Sequence, residues 1–197
     1  EKHNIFYLLA FDEKYGDFHF YLRNPIEKLS DLNGLRIRTA PGLYDEVLEE
    51  LGAIPITTPH AEIYTALEQG LIDGLLTTAY MAGPAGYFDY AKYMLYPGFY
   101  RGGSCGIILN LDSWNNLPDD IRKIIDEQSV AISERLDEIE KKGIERNLQM
   151  LEEAGGKTIE LSKEDAETLH NVTQDMGWDY VKREAPELGE KLEELFR

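Results

Sequence analysis

The sequence predicts an α/β fold with a mainly parallel sheet and one helix of unusual length. Three observations carry that expectation. Residues 35–77 switch repeatedly between strand-like and helix-like apolar spacing, with Gly and Pro at the changes, which is the β-α-β-α-β signature of parallel strands. From Pro118 a stripe of Ile121, Ile125, Ile132, Leu136, Ile139, Leu148 and Leu151 keeps helical spacing as far as Gly155-Gly156. Near residue 115 the chain changes from short runs punctuated by Gly and Pro to long charged helices.

Each element has its own signal. Asn4 to Phe11 is apolar and aromatic with strand character, and Phe18 to Leu22 alternates aromatics with His19 and Tyr21. Leu35 to Thr39 alternates apolar and basic residues with a period of two, then stops at Pro41-Gly42. Leu43, Val47, Leu48 and Leu51 follow at helical spacing, with Gly52 as the C-terminal stop. The pattern recurs as a strand at Ile54 to Thr57, a helix from about Ala61 to Gln69, a stop at Gly70 and a strand at Leu71 to Thr77. Cys105 to Leu111 reads as one more strand.

Pro118 with Asp119 and Asp120 starts the long helix, as N-terminal geometry and the helix dipole favour. At about 1.5 Å per residue it spans roughly 50 Å, so it braces two units or lies along a partner. After a strand at Lys157 to Leu161, Ser162 and Asp165 form a capping-box-like start for a helix carrying Leu169, Val172 and Met176. Pro186 breaks that helix before a final amphipathic turn.

Composition narrows the function. The chain has 197 residues, 43% hydrophobic and 11% aromatic, and a chain of that size buries roughly 70% of its unfolded surface. Its 37 acidic against 20 basic side chains give a net charge of -17, which argues against nucleic acid or an anionic membrane as a general partner. One cysteine, Cys105, excludes an intramolecular disulfide framework and a Cys-rich zinc module. No apolar run approaches the roughly 18–20 residues of a membrane-spanning helix. The opening Glu-Lys-His-Asn-Ile has neither an initiating Met nor a signal-peptide core, so it reads as a processed mature chain or a fragment.

Few residues advertise chemistry. The four histidines, His3, His19, His60 and His170, share no metal-ligand spacing, and neither a metal nor a cofactor is expected. Gly102-Gly103-Ser104-Cys105-Gly106 matches G-x-S-x-G, so a serine hydrolase using Ser104 is the enzyme alternative. Its context is wrong, because an aromatic loop precedes the serine and a strand follows it. Arg38 is more informative. Arg36 and Arg38 share one face of a strand, and Arg38 stands where that strand ends and a helix begins. Open α/β sheets bind ligands there, and a guanidinium can grip a carboxylate through two parallel hydrogen bonds. On position alone a surface ion pair is the more economical reading. The stretch Tyr80 to Tyr100 holds Tyr87, Phe88, Tyr90, Tyr93, Tyr96 and Phe99 and either lines a pocket or packs in the core.

Four ordered blocks then resemble the extracytoplasmic solute receptors of tripartite ATP-independent periplasmic (TRAP) transporters. They are Leu29-Ser30-Asp31-Leu32-Asn33-Gly34-Leu35-Arg36-Ile37-Arg38, Leu51-Gly52-Ala53-Ile54-Pro55, Glu62-Ile63-Tyr64-Thr65-Ala66-Leu67-Glu68-Gln69-Gly70 and Ile72-Asp73-Gly74. Ala91-Lys92-Tyr93, Tyr96-Pro97-Gly98-Phe99 and Asn110-Leu111-Asp112-Ser113-Trp114 look like the branch that takes 2-oxo or hydroxy acids. The resemblance implies a periplasmic-binding-protein-like lobe with a long inter-lobe helix and the first lobe largely absent. It implies a second-lobe core at residues 1–100, a strand plus connecting helix at 101–156, and a strand and helices returning to the second lobe at 157–197.

The same resemblance implies a non-enzymatic receptor, periplasmic or extracytoplasmic, that captures a small carboxylate and delivers it to membrane permease subunits. It assigns Arg38 to the carboxylate, and His60, Thr77 and Phe99 to the pocket wall, with Phe18 and Tyr100 completing the ligand-binding set. Where the oxo-acid branch shows an acidic residue and a tryptophan, this chain has Leu76 and Thr77, so a bound metal is not carried over. With the first lobe absent, the strand at Cys105 to Leu111 and one face of the long helix are expected to lack their usual partners. A homodimer through that surface, or a self-associating module that binds no solute, is the remaining alternative.

Overall fold

The computed structural model describes residues 3–12, 17–98 and 104–196. In chain order the strands and helices are β1 (Ile5–Asp12), β2 (Phe18–Leu22), β3 (Arg36–Thr39), α1 (Leu43–Glu50), β4 (Ile54–Thr57), α2 (Ile63–Glu68) and β5 (Gly74–Thr78). They continue with β6 (Tyr93–Tyr96), β7 (Ser104–Asn110), α3 (Leu111–Asn115), α4 (Asp119–Glu153), β8 (Lys157–Glu160), α5 (Lys163–Glu184) and α6 (Pro186–Phe196). The principal sheet has six strands in the order β4-β3-β5-β2-β6-β8. Its β4-β3, β3-β5 and β6-β8 pairs are parallel, and both antiparallel pairs involve β2. The sheet is therefore mostly parallel, with the expected β-α-β-α-β unit as its left half.

Alternation along the strands divides the core. Phe20 and Leu22 of β2, Ile37 of β3 and Leu76 of β5 face one side, where Val47 and Leu48 of α1 and Leu169 of α5 cover them. Tyr21, Leu75 and Met94 face the other side, beneath Ile63, Ala66 and Leu67 of α2, Tyr87, Phe88 and Leu151 near the end of α4. A strand's period of two delivers side chains to both faces, so the result is helix layers on either side of one sheet. Each fully buried Leu or Phe contributes about 1.5–3 kcal/mol relative to leaving it exposed.

Two glycine-linked features hold the parallel unit together. Gly74 opens β5 where a Cβ would lie 2.6 Å from the Tyr21 carbonyl oxygen and 2.7 Å from Leu22 Cδ2, so only glycine lets β2 and β5 approach. Beside it, Asp73 accepts from the Arg36 backbone N–H at 2.9 Å and from the Arg36 fork at 2.9 and 2.7 Å. The same guanidinium donates to the Gly70 carbonyl at 2.9 Å. The Ile72-Asp73-Gly74 block is thus a clasp between the start of β3 and the loop before β5.

Several expectations change. The strand near residue 5 does not join the principal sheet; β1 pairs antiparallel with β7, from Ile5↔Asn110 to Asp12↔Ser104. The strand expected at Cys105 to Leu111 therefore has a partner, and Leu111 already belongs to α3. Ile5, Tyr7, Ile107 and Ile108 of this ribbon are nonetheless exposed, as are Ile121, Ile124, Val130, Ile132 and Ile139 of α4. The long helix touches β1 and sends Leu148 and Leu151 into the core of the principal sheet. Buried Asn147 fixes that end, accepting from the Gly83 N–H at 2.7 Å and donating to the Tyr21 hydroxyl at 3.4 Å. The final turn after Pro186 is a full helix, α6, and the aromatic stretch contains a strand, β6, hidden from sequence by its flanking tyrosines and Pro97.

Candidate functional site

The carboxyl ends of β3 and β5 meet the start of α1 and the short 3-10 turn His60–Glu62. They enclose an open cavity of about 390 Å³ bordered by Phe18, Arg38, Thr39, Ala40, Tyr44, His60, Leu76, Thr77, Thr78, Tyr80 and Met81. Ligand pockets in α/β folds occupy this end of the strands and have volumes on the order of 300–1,000 Å³. Four residues singled out from the sequence, Arg38, His60, Thr77 and Phe18, border this one cavity. Phe99 and Tyr100 lie outside the described residues.

The two strand arginines have different surroundings. Arg36 is committed to Asp73 and Gly70, and the hydrogen bond from Arg36 holds the Asp73 carboxyl below its ordinary value. Arg38 donates only to the Thr58 carbonyl, from Nε at 3.3 Å and Nη2 at 3.1 Å, and pairs with no carboxylate among the described residues. That leaves Nη1 and the second Nη2 proton for another acceptor. Burial lowers the Arg38 pKa and the nearby Tyr87 oxygen opposes the shift; a guanidinium stays charged under such a perturbation.

Tyr87 is a neighbour that sequence reasoning did not assign to the site. It is 2% exposed, its hydroxyl lies 3.4 Å from His60 Nε2, and its pKa is raised by burial against the pull of Arg38. It sets His60 at the cavity wall. Tyr44, Thr39, Thr78 and Met81 were also missed, because each reaches the cavity through the fold and carries no motif of its own, while Tyr80 opens the aromatic stretch that sequence leaves between pocket and core.

His19 stands behind the site, paired in register with Thr77. It is 6% exposed and its Nδ1 lies 3.0 Å from the Leu95 carbonyl, to which it donates. Burial lowers its pKa from 6.5, opposed by the Leu95 hydrogen bond and by Asp17. The unfolded chain therefore binds the extra proton first, so His19's contribution to stability is complete above about pH 6.5 and is lost as pH falls through the depressed value. Urea midpoints measured from pH 7.5 to 5 should fall towards acid, and a His19→Asn variant should show a flatter profile. Parallel profiles would refute the assignment.

The model of the family described as bacterial extracellular solute-binding protein, family 7 (DctP), matches residues 1–183. The chain belongs to that family. A monocarboxylate 2-oxoacid-binding periplasmic protein of Nostoc sp. is 28% identical over 176 residues, covering 84% of this chain and 46% of that protein. A TRAP periplasmic solute-binding protein of Desulfovibrio salexigens with bound orotic acid superposes with a TM-score of 0.85 at 19% identity, over 99% of this chain and 62% of that one. A Bordetella pertussis extracytoplasmic solute receptor binding pyroglutamic acid gives 0.81 at 22% identity, over 92% of this chain and 59% of that one. The chain thus spans about half the length of the Nostoc relative.

This DctP-family chain shares the fold of a TRAP periplasmic solute-binding protein over 99% of its length. Among the described residues no helix is long and apolar enough to cross a membrane, and no cluster of three metal-ligating side chains occurs. Ser104 is the first residue of β7, paired with Asp12. A nucleophile elbow requires a strand before the serine and a helix after it, and β7 runs on for six more residues before α3. The hydrolase alternative fails on that geometry.

Proposed function

We propose that the chain is the ligand-gripping lobe of an extracytoplasmic receptor that captures a small organic acid and delivers it to TRAP permease subunits. The single observation that supports this most is Arg38: a half-buried guanidinium on the cavity wall, with no acidic partner among the described residues. A carboxylate entering the cavity would complete its hydrogen bonding at little reorganisation cost. His60 and Thr77 add polar contacts on the same side, and Phe18, Tyr44 and Met81 cover the apolar part of the ligand. The named ligands of the relatives, a 2-oxoacid, orotic acid and pyroglutamic acid, all carry or form a carboxylate.

Native mass spectrometry of the purified chain, followed by denaturation and identification of any released molecule, tests this reading. A co-purified organic acid supports it and names the substrate class. A chain that is empty and also gives no calorimetric response to pyruvate, pyroglutamate or orotate would refute it.

A further inference from the structure

One polar group at the cavity stands apart from those that Arg38, His60 and Thr77 provide. Thr78 borders the cavity and is 5% exposed, and its Oγ1 is sealed from solvent with no hydrogen-bond partner among the described residues. A buried hydroxyl without a partner costs stability, and native folds satisfy the large majority of such groups. Thr39, on the neighbouring strand end, shows the ordinary solution, donating to the Ala40 carbonyl at 3.1 Å. Valine would fill the Thr78 site with the same shape and no unsatisfied oxygen. Because Thr78 borders the cavity, a polar group entering there is the nearest candidate partner.

We propose that Thr78 is a second ligand contact, its hydroxyl bonding a polar group of the bound acid other than the carboxylate held by Arg38. This rests on the carboxylate reading of Arg38. Alternation sets the two residues on opposite sides of the sheet edge: Thr78 shares a face with Leu76, on the α1 side, while Arg38 is one residue out of phase with Ile37, which faces α1. Arg38 is opposite Leu75 in the β3–β5 register, and its fork leans two residues past Ile56, its β4 partner, to reach the Thr58 carbonyl. Both nonetheless border the one cavity at the carboxyl ends of the strands. Rotation about the Thr78 Cα–Cβ bond exchanges hydroxyl and methyl between staggered wells, and this is the motion by which the sealed oxygen would turn to a ligand. The arrangement selects an acid bearing an oxo, hydroxyl or amide group over a hydrocarbon acid of the same size.

Calorimetric titration of the 197-residue chain with pyroglutamate and cyclopentanecarboxylate tests this, because the two ring acids differ by the lactam group. Wild type should prefer pyroglutamate. Thr78→Val should weaken pyroglutamate about tenfold, leave cyclopentanecarboxylate within about twofold, and raise the unfolding temperature of the ligand-free chain. Thr78→Ser should restore the preference. An unchanged preference in Thr78→Val, or equal loss for both acids, overturns the proposal. Arg38→Ala separates the two levels: binding of both acids that survives it refutes the carboxylate reading, whatever Thr78 does. If wild type binds neither acid, orotate and benzoate give the same comparison on a six-membered ring; a chain that binds none of the four overturns the Thr78 proposal, while the carboxylate reading stands or falls on the released-ligand and pyruvate tests given with it.

Discussion

Replacing Arg38 with alanine is expected to weaken carboxylate binding by at least about tenfold, since hydrogen bonds to charged groups contribute roughly 1.5–3 kcal/mol. The expected loss is confined to binding. Among the described residues the Arg38 fork holds only the Thr58 carbonyl, so the variant should unfold close to the wild-type midpoint. Arg38→Lys keeps the charge and loses the planar fork, and should fall between the two. Arg36→Ala is the contrasting control, because it strips Asp73 of its bidentate partner and should lower the urea midpoint more than it lowers affinity per folded molecule. Isothermal titration with pyruvate or pyroglutamate, beside urea unfolding of each variant, reads both quantities. Near-wild-type affinity in Arg38→Ala would remove the role given to it.

Gly74→Val is expected to give the largest loss of stability, about 3 kcal/mol. A Cβ there meets the Tyr21 carbonyl oxygen at 2.6 Å, Leu22 Cδ2 at 2.7 Å and Ile37 Cδ1 at 3.3 Å. The first of these is backbone in the middle of the sheet and cannot swing aside as a side chain can. The β2–β5 pairing must open or shift, and with it the cavity walls that Phe18 and Thr78 supply from the far end of the same register. For a chain of this size the unfolding temperature should drop by roughly 6–12 °C. Gly177→Ala is the matched control in α5, where an added Cβ meets nothing within 4 Å; it should stabilise by about 0.5–1 kcal/mol through helix propensity. Thermal unfolding by circular dichroism measures both, and a Gly74→Val variant as stable as wild type would refute the close-approach argument.

The parallel half of the sheet is legible in the chain, because β3, α1, β4, α2 and β5 are each written in local periodicity and closed by local stops such as Gly52 and Gly70. The long helix is legible in the same way, as is the place of Arg38 at a strand end beside a helix start. Tertiary structure alone decided the rest. Nothing local tells β1 to leave the principal sheet for β7, because pairing Ile5 with Asn110 is a contact between distant segments that apolar alternation cannot encode. Nothing local separates Arg36 from Arg38, which share a strand face and a chemistry; Asp73 arrives from another loop to occupy the first, while the second holds only the Thr58 carbonyl among the described residues. The unpartnered Thr78 hydroxyl is of the same kind, since whether a polar group is satisfied depends on what the fold packs around it. Periodicity is a property of neighbours in the chain, and hydrogen-bond satisfaction is a property of neighbours in space.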